Sequence, residues 1–131
     1  MEKQAVQKIN EIRSSLPQGV ELVAVSKYHP AEVIQAIYEG SQQRIFAESH
    51  AQELQQKHEA LPMDFQWHFI GHLQRNKVRQ LLKHNVAMIH SVDSERLAME
   101  IEKEAVKLDK NVDILVEINI GNEESKSGCE P

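Results

Sequence analysis

Cysteine is almost absent from this chain. Cys129 carries the one thiol, so no disulfide can form within it. Long apolar runs are absent too: no stretch approaches the ~20 residues a membrane-crossing helix needs. The opening residues, MEKQAVQKIN, are charged where a signal peptide would be apolar. Together these absences predict a reducing, cytoplasmic location and no membrane partner. Basic charge is not in excess either. The formal net charge is −5 and no block of like charge occurs. A phosphate backbone calls for a basic face, so nucleic acid is not an expected partner. Finally, no G-x-G-x-x-G follows the first apolar run; the turn there reads SKYHP. Dinucleotide binding on a doubly wound sheet therefore gets little support.

What is present is a regular alternation. Forty per cent of the 131 residues are hydrophobic, and a chain of this size buries roughly two-thirds of its unfolded surface. Ala5, Ile9, Ile12 and Leu16 recur at helical spacing over residues 2–16, and LPQG breaks the pattern. VELVAVS at 20–26 reads as a buried strand. A helix follows from Pro30, with Val33, Ile34, Ile37 and Tyr38 on its apolar face and Gly40 closing it. RIFA at 44–47 is a second strand; Ser49 and Gln52 have the spacing of a capping box for a helix to Ala60. FQWHFI at 65–70, a helix over 73–84, VAMIHSV at 86–92, a helix capped by Asp93 or Ser94, and VDILVEINI at 112–120 complete the pattern.

Strands alternating with helices predict βαβ units and a parallel sheet. The repeat of roughly twenty-two residues between strand starts suits a (β/α) barrel. Five strands do not close a barrel of eight, so the expected architecture is one α/β domain over 1–131, the N-terminal portion of a (β/α)8 TIM-type barrel left incomplete.

Lys27 ends the first strand, and in parallel α/β folds that end of the sheet faces the site. Two readings stand side by side. The lysine can extend into solvent from a strand end, or its amine can form a Schiff base with a carbonyl compound. In WHFIGHLQRNK, His68 and His72 lie four apart, but Gly71 places a turn between them and no carboxylate or thiolate completes a zinc site; no metal is expected. Glu117 and Asn119 share one face of the fifth strand, which takes Asn119 to the mouth of the sheet.

LVAVSKYHP, RIFAES before a helix containing QEL, WHFIGHLQRNK, IHSVDS and EINIGNEESKSG together resemble, in order, the pyridoxal-phosphate homeostasis protein family, over about residues 20 to 128. The resemblance implies a fold like the barrel domain of bacterial alanine racemase. It implies pyridoxal 5′-phosphate held as a Schiff base on Lys27, and a non-catalytic role in carrying or buffering that cofactor, with PLP-dependent apoenzymes as recipients. It also implies that Ser49 and Lys126 belong to the cofactor-binding set, Lys126 as a secondary site of attachment or transfer; Asn119 joins that set from its place at the mouth of the sheet. The sequence departs from the family where Ala47-Glu48-Ser49 replaces GEN and where His29 replaces a second lysine. Family members run to roughly 230 residues, and the phosphate is gripped by loops of the later strands, as in many barrels. Two alternatives remain. One is a racemase-like or lyase-like enzyme, for which Tyr28, His68 and His72 are the local acid/base candidates. The other is a truncated module that has lost the cofactor. An unclosed sheet also predicts two unguarded edges, ELVAVS and DILVEINI, and a chain that self-associates.

Overall fold

The computed structural model describes residues 2–61, 64–120 and 128–130, and helices and strands alternate through them. Helix α1 spans Glu2–Ser15 and is followed by β1 (Ala24–Val25), α2 (Ala31–Ser41), β2 (Ile45–Glu48) and α3 (Ala51–Ala60). The second half holds β3 (Gln66–Phe69), α4 (Val78–Leu82), β4 (Val86–Val92), α5 (Glu95–Lys107) and β5 (Asp113–Val116). All neighbouring strands pair in parallel, in the order β1-β2-β3-β4-β5. This is the opening part of a (β/α)8 barrel. The sheet does not close, and β1 and β5 are its edges.

Strand alternation splits the sheet into two faces. Ala24, Phe46, Trp67 and Val86 stand in register on the helix side. There they join Ile34, Leu54, Val78, Leu81, Leu97 and Ile101 in the core. Most of the few aromatic residues gather around it: Phe65 stacks on Trp67 with ring centroids 5.6 Å apart, and Phe46 and Tyr38 pack against Phe65 at 5.3 and 4.9 Å. The other face carries Val25, Ala47, His68, Met88 and Asp113 in register. Its edges lie open, with Val25 53% and Leu115 47% exposed.

Several boundaries differ from the sequence reading. The first strand shrinks from 20–26 to two residues because β1 has one neighbour, and the Leu22 carbonyl accepts instead from the Gln43 side chain at 2.6 Å. The fifth strand ends at Val116 rather than Ile120. Beyond it the chain pairs with Cys129, whose carbonyl accepts from Asn119 N–H at 2.8 Å. Gly40 does not close α2; it lies inside the helix, where α1 packs so closely that an added Cβ would meet Val6 Cγ2 at 2.8 Å. Gln42, in the left-handed region at φ 63°, ends the helix instead. The capping box at Ser49 does not form: His50 occupies the N-cap of α3, with no side-chain bond to the helix. The predicted helix over 73–84 opens with a 3₁₀ turn, Arg75–Lys77, before α4. Ser94, by contrast, caps α5 as expected, its Oγ accepting from Leu97 N–H at 3.1 Å.

Candidate functional site

The C-terminal end of β1 runs into a tight turn. His29 N–H donates to Ser26 O at 3.1 Å, and Tyr28 adopts φ 69° at the third position. Turns with a left-handed third residue usually place glycine there, so a tyrosine in that conformation needs support from its surroundings. The support comes from α3. Lys57 Nζ donates to Ser26 O at 2.9 Å, to Glu48 Oε2 at 2.8 Å and to Glu53 Oε2 at 2.8 Å. Ser26 Oγ–H donates to Glu48 Oε2, and Tyr28 N–H donates to Glu53 Oε2 at 2.8 Å. All three ammonium protons of Lys57 are thereby used. Both residues flanking Lys27 are tied to one buried charge network.

The electrostatics of this network are uneven. Glu48 is fully buried. Burial pushes its carboxyl above the ordinary value, and the bonds from Lys57 and Ser26 only partly offset that. Its Oε1 meets no hydrogen-bond partner among the described residues. At Glu53 burial also acts upward, but the bonds from Lys57 and from Tyr28 N–H outweigh it and hold the carboxyl low. Lys27 itself is exposed and makes no hydrogen bond or ion pair among the described residues.

Of the other residues singled out from the sequence, Ser49 follows β2, the strand that pairs with β1. Its carbonyl lies against Gly71, where an added Cβ would fall 1.9 Å from Ser49 O. Ser49 also lines a cleft of about 570 Å³ between α3 and the loop after β3, with His50, Gln52, Phe69, His72 and Lys77. Lys27 does not line that cleft. Asn119 stands past β5, at the far edge of the sheet from Lys27, about four strand spacings or ~19 Å along the sheet. Lys126 lies outside the described residues.

His68 is buried, and its Nδ1 lies 2.9 Å from His90 Nε2. Burial lowers the basicity of both rings, and their mutual repulsion adds to the effect at His68. His72 is exposed, and Tyr28 Oη lies 3.4 Å from His50 Nε2. No group of three metal-ligating side chains occurs among the described residues. No helix among them is long and apolar enough to cross a membrane.

The sequence reading overlooked Glu48, Glu53 and Lys57. The signal was present. Glu53 and Lys57 are an i,i+4 acid–base pair on α3, and Glu48 is a lone carboxylate ending an apolar strand, which needs a buried partner.

Comparison with known proteins agrees with this architecture. The alanine racemase N-terminal domain matches residues 3–131. The pyridoxal phosphate homeostasis protein of Aquifex aeolicus is 45% identical over 111 residues, 84% of this chain and 48% of that one. The human protein of the same name is 38% identical, over 84% of this chain and 42% of its own length. The chain thus spans about half the length of the curated relatives it matches. Solved structures of PipY from Synechococcus elongatus PCC7942, 36% identical, superpose over 96% of this chain. The TM-score is 0.89 for the form without PLP, covering 59% of that protein, and 0.83 for the form with PLP bound, covering 58%. The chain belongs to the alanine racemase N-terminal domain family and, over this span, is a homologue of the pyridoxal phosphate homeostasis proteins.

Proposed function

We propose that this chain forms the lysine-bearing part of a non-catalytic cytoplasmic protein that holds pyridoxal 5′-phosphate on Lys27 and buffers or delivers it. The observation that carries the reading is the placement of Lys27. Its amine is exposed, lacks an ion-pair partner among the described residues, and follows β1 at the end of the sheet where (β/α) barrels keep their sites. An exposed amine on a tethered turn fits the aldehyde end of the cofactor. Bound there, the cofactor supplies an electron-accepting aldehyde that condenses with amines.

The protein's own residues do the rest. Lys27 Nζ attaches, and Ser49, on the loop that follows the neighbouring strand β2, offers a hydroxyl to hydrogen-bond the ring. Ser26 and Tyr28 keep the backbone in place. Lys126 belongs to the proposed set through the family resemblance, as a secondary attachment or transfer point, and Asn119 through its expected place at the mouth of the sheet. PLP-dependent apoenzymes are the recipients in this reading; PipY with PLP bound, a relative at 36% identity, supports the cofactor-binding part of it alone.

The test is reductive trapping. The chain is mixed with pyridoxal 5′-phosphate, reduced with borohydride and digested, and the tagged peptide is mapped. A tag on Lys27 is expected; tags confined to other lysines would overturn the assignment. The alanine racemase domain match favours a second reading, a racemase-like enzyme. That chemistry needs an acid/base opposite the cofactor. Tyr28 is 74% exposed, His68 is engaged with His90, and His72 lines a different cleft. Turnover of alanine or serine that disappears on Lys27→Ala would favour that enzyme.

A further inference from the structure

We infer that Lys57 is a positioning residue for Lys27: its buried ammonium sets the turn that presents the Lys27 amine, and so decides which lysine takes the cofactor. The inference rests on the reading of Lys27 as the attachment point, and it adds a residue from a different element.

The geometry is specific. Lys57 sits on α3 with its side chain 7% exposed, and its three bonds go to β1's exit, to β2's last residue and to its own helix. Ser26 O is already the acceptor that closes the turn with His29 N–H, so Lys57 bonds the atom that defines the turn. On the other side of Lys27, the Tyr28 N–H is held by the same Glu53 oxygen that Lys57 bonds. A tyrosine at φ 69° relaxes to more common backbone angles if those ties are cut. The Lys27 amine would then sweep a wider range and lose its fixed approach.

A lysine that only filled space would not need three acceptors, two of them carboxylates. The arrangement concentrates two negative charges and one positive one at the exit of β1. That is more charge than burial alone would select, since apolar residues of similar volume fill such space without a desolvation cost. The unpartnered Glu48 Oε1 shows that the network is not built for full hydrogen-bond satisfaction either. What it does achieve is a fixed backbone on both sides of one exposed amine.

The experiment has two readouts on the 131-residue chain and on Lys57→Met. The first is amide hydrogen exchange at Tyr28 and His29. Losing charge-assisted bonds should speed local exchange at Tyr28 about tenfold or more, while the amides of β3 and β4 report the loss of global stability separately. The second is trapping with pyridoxal 5′-phosphate and borohydride. The share of tag on Lys27 relative to other exposed lysines should fall about tenfold in Lys57→Met and recover in part in Lys57→Arg. Where Lys57→Met fails to fold, Glu53→Ala gives the same two readouts, because Glu53 lies at the solvent edge of the network. Unchanged Tyr28 exchange and unchanged tagging of Lys27 in a folded variant would overturn the inference. If the parent chain is not tagged on Lys27 at all, the proposed function falls. Exchange at Tyr28 then decides separately whether Lys57 sets the turn.

Discussion

Gly71→Ala tests the close approach of β2 and β3 at the end of the sheet that carries the site. The added Cβ would lie 1.9 Å from Ser49 O, 2.7 Å from Ser49 C and 2.9 Å from Ser49 Cα. Real Cβ atoms essentially never come closer than 3.0 Å, so the gap must open by about 1.5 Å to reach ordinary van der Waals contact. The opposing atoms are backbone, so no rotamer change relieves the clash. Two hydrogen bonds resist the opening: Ile70 N–H donates to Glu48 O at 2.9 Å, and Ser91 Oγ–H donates to Gly71 O. Stretching the first by that amount breaks it. Overpacking and a lost buried bond together cost about 2–4 kcal/mol. For a chain of this size that lowers Tm by roughly 6–20 °C. Thermal melts followed by circular dichroism measure it, with Gly40→Ala as the control. There the contacts are side-chain methyls of Val6 on another helix rather than backbone, and the gain in helix propensity offsets part of the clash, so the loss should be smaller, about 1 kcal/mol. A Gly71→Ala melt within about 2 °C of the parent would refute the argument.

Other expectations follow from the same structure. Lys57→Met should destabilise the chain by about 3–5 kcal/mol by leaving Glu48 buried without its cation, and pairing it with Glu48→Leu should recover much of that loss; urea melts of the single and double variants check both. His58, His68, His84 and His90 are all held below the ordinary histidine value, chiefly by burial. The unfolded chain therefore binds their protons first. The stability they contribute is full above about pH 6.5 and is lost as pH falls from there through the depressed folded values. Glu48 acts in the opposite sense. Its raised folded value makes stability fall as pH rises from the ordinary carboxylate range through that value. Urea melts between about pH 8 and pH 5 should show the histidine slope, and His68→Gln should flatten it. Finally, the exposed Val25 on β1 and Leu115 and Val116 on β5 predict self-association through unguarded edges. Sedimentation of Val25→Lys and Val116→Lys should shift toward monomer, and a monodisperse parent chain would contradict the edge argument.

The sequence carried the sheet more clearly than its site. Periodicity marked each helix and strand because burial on one helix face or between two layers repeats along the chain. The strand ends were misread for a physical reason: residues 20–23 and 117–120 have strand-like side chains, but backbone groups there bond elsewhere, the Leu22 carbonyl to the Gln43 side chain and Asn119 N–H to Cys129 O. Ser94 was legible as a cap because its acceptor acts locally, on Leu97 N–H. Ser49 was not, because its place is set by contact with Gly71 from another strand. Lys27 drew notice by its position at a strand end, and its role as the cofactor lysine is read only from the family resemblance. The network that holds its turn joins residues up to 31 positions apart, Ser26 to Lys57, and only the i,i+4 part of it leaves a mark in a linear reading.

The strand order has a consequence for how the chain acquires its shape. Each strand pairs with the next one made: Ala24 with Phe46, Ile45 with Gln66, Trp67 with Val86, Met88 with Asp113. Among the described strands, the loops to be closed are of similar, short length. Closure entropy therefore stays small at every step. The sheet can extend one strand at a time in the order of synthesis, with each new βαβ unit docking on a finished edge as it leaves the ribosome.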